Sequence, residues 1–157
     1  LAALHGVRFE AATYTLTAYM LCGAVGMAVG GFVAVRAPHA DRVVALAMAA
    51  GAALLVLCAT GWLGATGTMT VLAITGFAVG IGAPSRDMMI KRATPKGATG
   101  RVYGLVYSGL DTGLAVAPLM FGVLMDRGWY SATLLGAALT LALSVGAALA
   151  VGQRTVH

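Results

Sequence analysis

The stretch Gly100–Gly128, GRVYGLVYSGLDTGLAVAPLMFGVLMDRG, is an apolar run with one carboxylate, Asp111, near its middle and a second, Asp126, at its end. From Val102 to Met125 it would rise roughly 36 Å as an α-helix, enough to cross a hydrocarbon core of about 30 Å with some tilt. Asp111 then falls near the midplane. A lone carboxylate is costly in lipid, so a span that keeps one turns it toward a bundle interior or an aqueous cavity. At helical spacing Gly104, Tyr107, Ser108, Asp111, Ala115, Pro118 and Gly122 share one small and polar face. That face is expected to look at other helices.

The whole chain is built in the same way. Of its 157 residues 60% are hydrophobic and 10% charged, and the mean hydropathy is +0.91. Its apolar runs are too long and too closely spaced to hide in a core of this size, which makes it an integral membrane protein. The formal charge of +5 comes from basic residues lying between apolar runs, not on an amphipathic face interleaved with aromatics, so nucleic acid is not an expected partner. Cys22 and Cys58 both lie inside apolar segments without metal-ligand spacing to histidine, and are read as packing residues. With no His/Asp/Glu cluster or Ser/His pair in any span, neither a catalytic site, a metal nor a cofactor is expected, and the chain is not read as an enzyme.

Five transmembrane helices are expected, at about 12–35, 43–63, 69–90, 102–125 and 130–151, forming one all-α polytopic bundle. Residues 1–15, LAALHGVRFEAATYT, lack the pattern of a signal peptide and read as a loop entered from an upstream portion, so the chain is expected to be a fragment. Gly26 and Gly30 form a GxxxG spacing that permits close helix approach. Gly109, Gly113, Pro118 and Gly122 are further helix-packing candidates. Pro38 is expected to stop the first span, and Gly61–Thr68 to form an uncharged turn with Trp62 at the interface. The second span, free of charge, is expected to be a peripheral, lipid-facing support. The third is expected to kink or unwind before Pro84, leaving Arg86 and Asp87 at the headgroup boundary, either as solvated flanking charges or as a gate that reaches a charge on a neighbouring helix. Lys91–Arg101 reads as a basic loop.

The loops on one side hold Arg36, Arg42, Arg86, Lys91, Arg92, Lys96, Arg101 and Arg154, and those on the other side only Arg8 and Arg127. The positive-inside rule makes the crowded side cytoplasmic, with the N-terminus of the chain outside and its C-terminus inside.

Taken together these residues resemble the last five of the twelve helices of a major facilitator superfamily transporter, over essentially the whole chain. The family's G-x-L-A-D-R loop motif is matched by Gly31-Phe32-Val33-Ala34-Val35-Arg36 followed by Asp41 and Arg42, with Val35 standing where the motif has its Asp. Gly82–Asp87, Thr94–Arg101 and Tyr107–Gly113 look like bacterial drug or fosmidomycin-resistance-like exporters. Gly113, Pro118 and Gly122 are similar in kind to the family's Gly/Pro antiporter motif, without its Gly-Pro pair. The resemblance implies a bacterial inner-membrane transporter of a small molecule in which two six-helix bundles rock about a midplane site. The first and fourth spans would lie at the bundle interface. Asp111 would bind a proton, with Tyr107 and Ser108 as hydrogen-bond partners, and a missing N-terminal half or a second copy would complete the molecule. The competing reading is a truncated or structural membrane protein that transports nothing, with Asp111 fixing helix packing.

Overall fold

The computed structural model describes residues 9–37 and 39–155, with side chains placed for 13–37 and 39–150. Arg8 and the expected helix stop at Pro38 lie outside the described residues, as does the placement of the Arg154 side chain. Five helices follow one another: α1 Phe9–Arg36, α2 Ala40–Ala59, α3 Gly64–Ala93, α4 Thr99–Asp126 and α5 Tyr130–Thr155. All five are long and apolar enough to cross a membrane, and the described residues contain no strand. Such a chain has to pair its backbone polar groups within each segment, which only helices of this length do in lipid.

Three boundaries depart from expectation. Residues 9–15 from Phe9 onward are helical, not loop. The turn expected over Gly61–Thr68 closes within 60–63, and α3 begins at Gly64. Gly61 and Gly64 take φ of +73° and +59°, which lets the chain reverse in so few residues. Thr68 and Thr70 then donate their hydroxyls to the carbonyls of Gly64 and Thr66, at 2.7 and 3.0 Å, so these two enter the apolar layer already paired. At the far end α3 runs on to Ala93 and α4 starts at Thr99, so the basic loop shrinks to 94–98, with Gly97 at φ +85°. Pro84 does not unwind α3, which is helical throughout. Lipid and neighbouring helices offer an opened turn no water to bond to, so losing one ladder bond costs less than losing several.

The tightest packing is between α1 and α3, followed by α2 against α5 and α2 against α3. A Cβ added at Gly26 would meet the backbone of Phe77, and one at Gly30 the backbone of Ile81, 2.5 Å from its carbonyl oxygen. From the other side, a Cβ at Gly76 would strike the Tyr19 carbonyl and one at Gly80 the Gly23 carbonyl. The two backbones therefore touch along a reciprocal row of glycines. On α2, Gly51 does a similar service for two neighbours: its Cβ position lies 3.2 Å from Val79 of α3 and 3.3 Å from Leu141 of α5.

Consequently α2 is the most buried span, not a lipid-facing support, with Val44, Ala47, Ala52, Leu55 and Cys58 among its buried residues. The reason is size: a helix of Ala, Gly and Val can admit helices on two sides. Helix α4 is its opposite. It has no buried residue and touches the rest mainly at α5, where Phe121 packs on Gly136. The expectation that its polar face looks at other helices is not met within this chain.

Successive spans run in opposite directions, so the links alternate between the two ends of the bundle. Tyr14, Trp62 and Trp129 are exposed at one end, Trp62 at 92%. Arg36, Arg42, Lys91, Arg92, Lys96 and Arg101 mark the other. Aromatic residues are usual at either membrane interface, whereas a concentration of Lys and Arg marks one side.

Candidate functional site

Two of the sequence-predicted groups come together on α3 and α4. Arg86 and Asp87 lie about two turns before the end of α3, and Tyr107 lies about two turns after the start of α4, so antiparallel helices bring them to one depth. Arg86, Asp87, Ile90, Val106, Tyr107 and Leu110 line a crevice of about 100 Å³ between the two helices. Several waters would fit there.

Within it, Arg86 donates from Nε and Nη2 to Asp87 Oδ1, both at 3.3 Å. The two side chains are 40% and 44% exposed. The carboxylate partner of Arg86 therefore stands on its own helix; no charge from a neighbouring helix reaches it among the described residues. A long, half-exposed pair of this kind contributes little to stability. Tyr107 is otherwise engaged with Tyr103, ring centroids 6.0 Å apart and nearly parallel.

Asp111 is one turn further along α4, about 18 Å from its start, close to the middle of a helix of about 42 Å. It is exposed and has no hydrogen bond or ion pair among the described residues. The hydroxyl of Ser108, expected to serve Asp111, is donated to the Leu105 carbonyl at 2.9 Å, and Thr112 donates to the Ser108 carbonyl at 2.7 Å. Each hydroxyl on this stretch satisfies its own helix first, as Ser and Thr do when no polar neighbour competes. Gly109, Gly113 and Gly122 stand in open space, with nothing within 4 Å of an added Cβ. Pro118, inside the same helix, is also among its unburied residues.

The loop-motif residues do not assemble into a charge relay. Gly31 and Arg36 border an open groove on α1 with Phe32 and Val35, while Asp41 sits in the first turn of α2, where a carboxylate favours the helix dipole. No ion pair joins Arg36, Asp41 or Arg42 among the described residues. Nor do the described residues contain a group of His, Cys, Asp and Glu able to hold a metal.

Two features escaped the sequence reading. One is the partner row of the α1 glycines: Gly76 and Gly80 carry the same spacing as Gly26 and Gly30, and the match between the two pairs was the available signal. The other is a second, larger cavity of about 440 Å³ between α2, α3 and α5, walled by Val44, Met48, Val79, Met89 and Leu141, which shares Arg86, Ile90 and Val106 of α4 with the first crevice. It arises because α4 and α5 stand off from α3, a relation no single segment encodes.

No curated protein and no solved structure is matched by the chain. The family model of the Major Facilitator Superfamily matches residues 1–156. Five apolar spans, a basic and an aromatic end, and that match along nearly its full length make this a multi-pass membrane protein of membrane transport, and the chain belongs to the major facilitator superfamily.

Proposed function

We propose that this chain forms the last five of twelve helices of a proton-coupled secondary transporter that exports small hydrophobic molecules by alternating access. The observation that carries the reading is Asp111, a carboxylate at mid-depth on the one span without a buried residue. Left against lipid it would be costly, so this face calls for a cover that also admits water. A second helical bundle, either an N-terminal half or another copy, would supply it, as the two-bundle architecture of such transporters does.

In this mechanism Asp111 binds a proton from one side and releases it to the other. Neutral, it tolerates apolar packing across the bundle interface; ionised, it holds that interface open to water. Tyr107 and Ser108 turn to it when the second bundle closes over α4. Arg86 and Asp87 act as a gate at the basic end, and the Gly31, Arg36, Asp41 and Arg42 segment forms the link that steers α1 against α2. The membrane is the bacterial inner membrane, with the basic end cytoplasmic, the start of the chain outside and its C-terminus inside.

The test is transport in proteoliposomes under an imposed pH gradient, with the chain alone and joined to its upstream sequence. The expected result is drug movement by the joined form, abolished by Asp111→Asn for gradient-driven flux and retained for downhill exchange. Gradient-driven flux that survives Asp111→Asn removes the coupling role. If neither form moves solute while the chain inserts stably, the non-transporting reading replaces this one, and Asp111 is a packing residue.

A further inference from the structure

The 440 Å³ cavity between α2, α3 and α5, with Val106 of α4 on its border, does not include Asp111, and it shares Arg86 with the gate proposed at the basic end. Its volume falls within the roughly 300–1,000 Å³ typical of small-molecule sites. Its walls are apolar apart from Arg86 and Ser144, and Ser144 donates its hydroxyl to the Leu141 carbonyl at 2.6 Å. Arg86 is thus the polar group with bonding capacity to spare.

The position of the cavity along the bundle matters. Val44 and Met48 lie within about 12 Å of the start of α2, and Met89 within about 6 Å of the end of α3. Both ends belong to the basic face. Lys91 and Arg92 directly follow the lining residue Ile90, and Arg101 precedes the lining residue Val106 by little more than a turn. The carboxylates at this end are Asp41 and Asp87. Asp87 takes two of the five N–H groups of Arg86, which leaves three for another acceptor.

An acyl chain gains almost nothing by leaving bilayer for an equally apolar cavity. Occupancy therefore depends on the headgroup, and cationic pockets between helices on a basic membrane face suit anionic ones. We propose that this cavity holds one acyl chain of an anionic phospholipid from the basic-side leaflet, with the lipid phosphate bound by Arg86 and by the basic residues at the α3–α4 link. The lipid would fill the gap where α3 and α5 meet only sparsely. The same Arg86 fork that points toward the α3–α4 crevice through Asp87 would close the mouth of the site.

The experiment is native mass spectrometry of the purified chain released from nanodiscs of phosphatidylcholine and phosphatidylglycerol at three to one, with thermal unfolding in the same discs. Wild type is expected to retain one phosphatidylglycerol in excess of the bilayer ratio. Arg86→Gln should lower that excess about fivefold, the value of one cation near an anionic surface. Ala147→Phe, which places a ring in the cavity from α5, should expel the lipid, whereas Arg127→Gln at the opposite end of the bundle should leave the excess unchanged. Lipid retained at the bilayer ratio, or an excess indifferent to Arg86→Gln, overturns the proposal. So does stabilisation by inorganic phosphate equal to that by phosphatidylglycerol, because the acyl chain would then be irrelevant. Should Ala147→Phe fail to fold, the Arg86→Gln comparison alone decides.

Discussion

The α1–α3 seam and α4 carry the same kind of sequence and have opposite fates. Gly26 and Gly30 on α1, Gly76 and Gly80 on α3, and Gly109 and Gly113 on α4 are all glycine pairs four residues apart. Along the seam each glycine abuts a backbone, and an added Cβ would collide with it. On α4 the same spacing faces open space. Glycine spacing confers the capacity for close approach; a matching row on a second helix decides whether it is used. In lipid, where apolar side chains gain nothing by leaving the tails, that shape match is the main attraction between spans.

The sharpest way to break the comparison is to fill the seam. Gly80→Leu should destabilise the helix pair by about 3 kcal/mol or more, and Gly26→Ala by about 1–3 kcal/mol, because each new carbon meets backbone that cannot swing aside. Unfolding by sodium dodecyl sulfate in mixed micelles would read both. If Gly26→Ala proves silent, α1 and α3 are not in backbone contact. A smaller effect is expected from Asp87→Asn, which removes the long, half-exposed pair with Arg86 and should cost no more than about 1 kcal/mol, fading as salt is raised. A larger, salt-resistant loss would mean that the α3–α4 crevice closes further than its present shape. The smallest effect belongs to α4 itself. Gly113→Ala should lie within about 0.5 kcal/mol of wild type in the chain alone, with a slight gain from helix propensity. If the same change becomes costly once an upstream bundle is joined to the chain, the α4 glycines contact that bundle, and the contrast between the two regions becomes one of partner rather than of kind.

Much of the architecture was legible along the chain. Five apolar runs separated by charged or glycine-containing links can form little besides five helices, and the basic and aromatic residues sort themselves to opposite ends. The site was less legible. Arg86, Asp87 and Tyr107 stood out singly as polar residues in apolar surroundings, but nothing in their order along the chain placed them in one crevice. Ser108 looked like a partner for Asp111 because the two share a helix face; its hydroxyl instead closes on the Leu105 carbonyl, the acceptor that is always within reach. The reading of α2 as a peripheral support failed for a related reason. Absence of charge signals tolerance of lipid, and an Ala- and Gly-rich surface serves equally well between two helices.

The sequence by itself determined the number of spans and the end of the bundle at which each link lies. Each of these depends on the transfer free energy of one segment, which is a sum over its own residues. The tertiary structure decided which glycines meet, which helix is buried, where Arg86 finds its counter-charge and where a cavity is left between α3 and α5. Those outcomes depend on the fit of one surface to another, and the separate sequences of two helices do not contain it until the helices are side by side.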